Sequence, residues 1–425
     1  HDEAVRADLE RIDSLHPDRL LKPWPLPATT LVGNLPALQI ILPMITAPLC
    51  VLIRRPNVTW ALSVLVSWMT FAISWTLLAT VRAEGTITYF MGGWEAPWGI
   101  ALRIEPMNAF VLLIVSGIGA VVLPAARASF AEEIPRDRHY LLHAAFLLCL
   151  TGLLGMTTAG DAFNVFVFLE ISSLATYALI AMGPHRRALT SAFRYLVMGT
   201  TGGTFILLGV GLLLMVTGTL DIEDLRVRLQ ATDADRTVLV ALVCILVGTS
   251  IKLALLPLGA WLPNAYTFAP SAVTAFLAAT ATKVAFYVMA RFVYRVFGAD
   301  LVFERFQLDA VLMPLALFSM FLGAVLAIFE RDVKRLLAYS SLSQIGYMVL
   351  GLSLASVTGL TGGIVHLFNH ALMKSGLFLV MACAALRVGS TRLSALRGLG
   401  KRMPVTAAAF VAGGLSLIGV PLTAG

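Results

Sequence analysis

Between Thr237 and Thr282 the chain carries a single charge. Fifteen uncharged residues (237–251) precede Lys252 and thirty (253–282) follow it. The apolar sequence continues past the lysine through Ile251-Lys252-Leu253-Ala254-Leu255-Leu256-Pro257-Leu258-Gly259-Ala260-Trp261-Leu262-Pro263-Asn264-Ala265. A stretch this long and apolar reads as lying within a bilayer, where a lysine costs about 2.5–3.5 kcal/mol on insertion scales. Such a residue is tolerated where it faces a protein interior or a wet cavity. Pro257 has no N–H for a helical acceptor and crowds the carbonyl of Leu253, next to the lysine. Broken backbone at this depth must be buried in protein or line water. A buried amine beside an unwound turn therefore reads as a proton or ion station. The plainer alternative is a lysine that snorkels from a helix end, and the length of its uncharged flanks argues against that.

A soluble chain of 425 residues would divide into two or three domains. This one is 58% hydrophobic and 13% charged, with a mean hydropathy of +0.86, and reads as an all-α, polytopic transmembrane helix bundle. Spans need roughly 20 apolar residues each, so about a dozen fit. The charge-free stretches put them near 31–53, 57–81, 106–126, 139–160, 162–183, 195–219, 237–262, 269–291, 310–329, 336–355, 358–386 and 403–422. Residues 1–30 form a charged extension in which Leu9, Ile12 and Leu15 recur at helical spacing before Pro17. Two connections are long. The segment 82–105, rich in aromatics and glycine, reads as an interfacial cover, and 220–236 as a solvated linker. The chain opens on a histidine and stops at Gly425 just after an apolar run, so truncation is expected at one or both ends.

The net charge of +7 does not point to nucleic acid, because the basic residues lie in short loops. Arg54-Arg55, Arg127 to Arg138, His185-Arg186-Arg187, Arg331 to Arg335 and Arg387 to Arg402 follow helices 1, 3, 5, 9 and 11. By the positive-inside rule those loops are cytoplasmic and the amino terminus is outside. Arg291 and Arg295 stand against this pattern. Four cysteines sit singly in apolar runs and read as core filler. No spacing calls for a metal, and no Walker, Rossmann, haem or cluster motif calls for a cofactor.

Further ionisable residues interrupt other spans. Glu170 lies nine residues into helix 5, in Asp161-Ala162-Phe163-Asn164-Val165-Phe166-Val167-Phe168-Leu169-Glu170-Ile171-Ser172-Ser173. An ionised carboxylate there needs a partner, and Lys252 is the natural one. If they pair, separating them would release a proton; a static pair that pins two helices is the alternative. Lys283 is in the middle of helix 8. On helix 11, His366, His370 and Lys374 fall on one face at i, i+4 and i+8, with Asn369 beside them. Helix 10 presents Ser340, Gln344 and Tyr347 as a polar stripe able to hold a water chain. Together these residues describe a hydrophilic axis along the bilayer midplane. His143 reads as a core histidine and Arg194 as a snorkelling one. A hint of repetition joins Leu255-Leu256-Pro257-Leu258-Gly259 to Ile418-Gly419-Val420-Pro421-Leu422. Paired proline-broken helices, here 7 and 12, point to a transport site between two inverted repeats.

These segments resemble the proton-conducting antiporter-like membrane subunits shared by respiratory complex I, membrane-bound hydrogenases and Mrp-type Na+/H+ antiporters. FLEISSLATYAL, IKLALLPLGAWLPNAYTFAPSAVTAFLAATATKVAFY, KRLLAYSSLSQIGYMVLG and HLFNHALMKSGLF carry the resemblance, which runs from about residue 31 to 425. MGGWEAPWGI and KRMPVTAAAFVAGGLSLIGVPLTAG look most like the D-type member of the Mrp antiporters. The resemblance implies proton-transfer roles for Glu170, Lys252, Lys283, His370 and Lys374, and helix breaks at Pro257, Pro263 and Pro421. It also implies helices 1–3 over 31–130, a first antiporter repeat over 131–300 and an incomplete second repeat over 301–425. Gly259 and Gln344 depart from it, standing where many relatives have histidine, and the family's helix-12 lysine or glutamate falls beyond Gly425. The implied protein is a bacterial cell-membrane subunit exchanging protons, with or without Na+, beside other membrane subunits. A redox-driven proton pump and a non-conducting scaffold are the rivals.

Overall fold

The computed structural model describes residues 32–94, 99–232 and 234–423. The expectation for residues 1–30 lies outside them. Among the described residues, twelve helices of 15 residues or more follow in the expected order: α1 Leu35–Ile53, α2 Pro56–Glu84, α3 Pro106–Ala125, α4 His139–Thr158, α5 Ala162–Ala181, α6 Arg187–Thr217, α7 Asp235–Leu253, α8 Ser271–Arg291, α9 Asp309–Ile328, α10 Val333–Ser353, α11 Val357–Val388 and α12 Pro404–Ile418. Ten helices among the described residues are long and apolar enough to cross a bilayer. The other two are α12, with 15 residues, and α10, whose 21 residues include Lys334, Arg335 and four hydroxyl or amide side chains on Ser340, Ser341, Ser343 and Gln344.

The bundle is built around α8. Of its 21 residues only Ala281 is not buried. Alanines at 272, 275, 278, 279, 285 and 290 keep its surface low, so α3, α4, α7, α10 and α11 all close on it. Lipid-facing helices behave oppositely: Leu52, Trp75, Phe193, Met215, Phe321 and Ile328 are exposed on the bundle's outside.

The largest departure from expectation is in helix 7. The sequence predicts a span over 237–262; α7 stops at Leu253, with Ala254 in the left-handed region at φ 66°. The N–H of Ala254 donates to Ile251 O and that of Leu255 to Ser250 O, a closed C-terminal cap. The helix thus ends before Pro257, which lies beyond the cap. Pro263 does not break a helix either. It sits in the first turn of a half-helix, Leu262–Phe268, where a missing N–H costs nothing. Gly259 closes the turn between the two: a Cβ there would overlap the Ala254 carbonyl. This turn has no room for a histidine. At the end of α12 the same cap recurs, with Gly419 left-handed at φ 81°, Gly419 N–H on Ser416 O and Val420 N–H on Leu415 O. Pro421 again follows the cap.

The two long connections are both structured. Ile87–Phe90 and Ala101–Ile104 pair as an antiparallel hairpin, with Ile87 opposite Ile104. The expected linker at 220–236 instead contains a helix, Ile222–Gln230, capped by Asp221 and burying Ile222, Leu225 and Leu229. Their spacing of three and four is an amphipathic signal. Hairpin, helix Ile222–Gln230 and the end of α8 lie on one face of the bundle; the basic loops lie on the other.

Candidate functional site

The Lys252 amine sits in the last turn of α7, 6% exposed as a residue. Its Nζ lies 3.2 Å from Glu170 Oε1 and donates to Ser173 Oγ at 2.7 Å. Both partners come from one face of α5, three residues apart. α6 makes room for them: a Cβ on Gly203 would overlap Glu170 Oε1, and one on Gly199 would overlap the Tyr177 hydroxyl. The unwound segment is fastened to the same spot. Trp261 donates from Nε1 to Ile251 O at 3.0 Å, and its ring stacks on Tyr195 at 3.6 Å, with Tyr195 edge-on to Tyr177. The ion pair and the helix break are thereby one packed unit.

Lys283 and Lys374 are both fully buried. The Lys283 amine donates to Ala278 O at 2.5 Å and to Thr282 Oγ1 at 3.3 Å. That of Lys374 donates to Leu337 O at 2.8 Å and Ser340 Oγ at 3.1 Å. No carboxylate pairs with either among the described residues. Their acceptors are main-chain and hydroxyl oxygens, which serve an ammonium and a neutral amine alike. His370, buried, stacks parallel to His366 at 5.9 Å, and neither of its ring nitrogens has a hydrogen-bond partner among the described residues. Lys283 lies within electrostatic reach of Lys374 and of both histidines. The structure thus places Glu170, Lys252, Lys283, His370 and Lys374 across α5, α7, α8 and α11. Here α6 bridges α5 to α7, α7 packs on α8, and α8 packs on α11.

The helix-10 stripe is split. Ser340 meets Lys374. Gln344 is half-buried, and Tyr347 is 48% exposed with its ring 6.0 Å from His366. His143 is buried and Arg194 exposed. Pro257, Pro263 and Pro421 flank caps and turns as described above.

Amines, a carboxylate and imidazoles are the side chains able to take up and release protons, and the bundle gathers them in its interior. Residues 159–425 match the family described as NADH:quinone oxidoreductase/Mrp antiporter, TM. The chain belongs to that family. Over 404 residues it is 42% identical to the N-type subunit of the NADH-quinone oxidoreductase of Desulforudis audaxviator, covering 93% of this chain and 79% of that one. It is 31% identical over 400 residues to the D-type subunit of the Na(+)/H(+) antiporter of Alkalihalophilus pseudofirmus, with the same coverage. Two solved assemblies contain a similar chain. The Mrp complex from Dietzia sp. aligns with a TM-score of 0.84 at 28% identity, over 92% of this chain and 72% of that one. The archaeal membrane-bound sulfane sulfur reductase aligns with a TM-score of 0.83 at 31% identity, over 92% and 79%.

In this member of the family several polar residues escape sequence reading. Lys334 stands among loop charges in the sequence but is buried in the first turn of α10, donating to Ala269 O at 2.9 Å and Ser271 Oγ at 3.4 Å. Glu133 holds the same turn by accepting from the Ser271 N–H at 2.8 Å. Nothing in the pattern around Lys334 distinguishes it from its exposed neighbour Arg331. The two arginines that disturb the charge pattern are both engaged. Arg291 donates to Ala159 O, and Arg295 pairs with Glu105 at 2.5 Å, which also accepts from Arg103 at 2.8 Å. Burial works to raise the Glu105 carboxyl, but bonding and charge from Arg295 and Arg103 outweigh it and hold the group below its ordinary value.

Proposed function

We propose that this chain is the proton-conducting membrane subunit of a multisubunit monovalent-cation/proton antiporter, and that Lys252 is its switching group. The observation that carries the reading is the Lys252–Glu170 pair built into the cap of a broken helix, at the head of a row of buried amines. An ion pair in a rigid helix has one geometry. This one rests on a turn that can be repacked, so the distance between amine and carboxylate can change. When they separate, the lysine loses its counter-ion and hands its proton toward Lys283, then to His370 and Lys374. The multi-pass bundle and the family membership support a place beside other membrane subunits. A second reading, a redox-driven proton pump, is favoured by the 42% identity to a protein of an NADH-quinone oxidoreductase. Co-purifying iron–sulfur or flavin subunits would favour the pump, and Na+-dependent alkalinisation of vesicles the antiporter.

The test common to both couplings is a pair of substitutions at Lys252 in the assembled complex. Lys252→Met removes the charge, whereas Lys252→Arg keeps a guanidinium that does not deprotonate at accessible pH. Both should assemble, and both should lower proton flux in vesicles by about a hundredfold or more, the range of a lost proton-transfer group. Lys252→Arg complexes that transport at near wild-type rates would leave the ion pair as a static brace and sink the switch.

A further inference from the structure

Away from the row of lysines, the start of α2, the short helix Arg127–Glu133 and the start of α4 enclose a cleft of about 90 Å³ on the basic face. Asn57, Trp60, Arg127, Arg136, His139 and His143 line it. The Arg127 guanidinium lies 4.2 Å over the Trp60 ring and donates to Asn57 Oδ1 at 3.3 Å. Neither Arg127 nor Arg136 pairs with a carboxylate among the described residues. Of the nearby acids, Glu133 is taken up by Ser129 and the Ser271 N–H, while Glu132 and Asp137 are exposed. His143, 2% exposed, forms part of the inner wall, and its Nδ1 has no hydrogen-bond partner among the described residues. A 3-10 turn, Arg136–Arg138, leads into α4 here, with the Arg138 N–H on Pro135 O and the His139 N–H on Arg136 O. Two guanidiniums without a carboxylate partner and an unpartnered imidazole nitrogen favour an anion in the cleft.

Its height in the bundle says which anion. α2 begins and α3 ends at this level, and Trp60 is an aromatic at the expected depth of a membrane interface. From there toward the bundle's centre, the same side of α2 carries the half-buried Val64 and the exposed Trp68. A phosphodiester seated among Arg127, Arg136 and His139 has apolar helix surface beside it for its acyl chains. We infer that this cleft is a binding site for the phosphate group of an anionic phospholipid. The inference is independent of what the lysine row conducts.

The test uses the purified complex containing this chain, in phosphatidylcholine vesicles with and without phosphatidylglycerol, and inorganic phosphate as the second probe. Native mass spectrometry after extraction should find phosphatidylglycerol retained on the wild-type chain. In R127Q/R136Q retention should weaken by more than about tenfold, since each basic residue near an anionic surface contributes severalfold. R186Q/R187Q removes the same charge from another loop of the same face and should retain lipid normally. R136Q alone, at an exposed position, keeps the comparison readable should the double variant not assemble. Inorganic phosphate binding as tightly as the lipid, and lost in the same variants, would keep the anion site but overturn the lipid. Equal phosphatidylglycerol retention by wild type and a folded R127Q/R136Q would overturn the site.

Discussion

Gly203 faces the Glu170 carboxylate across the α5–α6 contact, with no space for a methyl group between them. The residue is therefore part of how the ion pair is held, although it has no side chain of its own. Gly203→Ala should push Glu170 off Lys252 or spread α5 from α6. The complex should still assemble, and proton flux should fall at least about tenfold, as expected when a proton-transfer pair is displaced by an ångström or so. Gly211, on the same helix with nothing near its Cβ position, supplies the control. Gly211→Ala should leave flux unchanged and stabilise the helix by about 0.5–1 kcal/mol. Loss of flux in both variants would trace the effect to α6 in general and not to the carboxylate's neighbour.

At the scale of elements, the hairpin face is closed by charge. Glu105 caps α3 and joins Arg103 from the hairpin to Arg295 beyond α8, while Glu223 of the helix Ile222–Gln230 lies 3.4 Å from Arg103. A carboxyl held below its ordinary value contributes stability that is present at neutral pH and is lost as pH falls through the folded value. Glu105, held below its ordinary value by Arg295 and Arg103, is such a group. Glu105→Gln should therefore lower the unfolding midpoint of the complex near neutral pH, by an amount on the order of 1 kcal/mol after solvent screening. The gap between the two proteins should close on acidification below the usual carboxylate range. A gap that stays constant down to that range would mean that Glu105 acts through packing alone.

For the whole molecule, the basic loops between α1 and α2, α3 and α4, α5 and α6, α9 and α10, and α11 and α12 share one face. Arg291 and Arg295, the exceptions in sequence, are bonded on the other face to Ala159 O and Glu105. Glu105 offsets the charge of Arg295, whereas Arg291 meets a neutral carbonyl, so the two arginines stand as exceptions to the loop pattern. Single cysteines at Arg187 and Arg331 should be labelled by an impermeant maleimide only from the cytoplasm, and one at the exposed Glu84 only from outside. Labelling of all three from the same side would break the bundle's topology, and a swapped pattern would invert it.

Twelve helices, their order and the buried positions of Lys252, Lys283, His370 and Lys374 were legible in the sequence, because hydrocarbon admits few backbones and penalises every unpaired charge. Glu170 was legible as a partner for the same reason: one carboxylate and one amine in neighbouring spans have few other ways to be buried. The break in helix 7 was legible from its prolines, but its place was not. Ala254 ends the helix by adopting a left-handed conformation, a choice made by the closing turn at Gly259 and by Trp261 anchoring on Ile251. Local propensity does not record such a choice. The burial of Lys334 and the pairing of Arg295 likewise depend on residues 63 and 190 positions away in the chain. A pattern of period 3.6 says which face of a helix is wet or dry; only packing decides which distant oxygen meets a charge at its end.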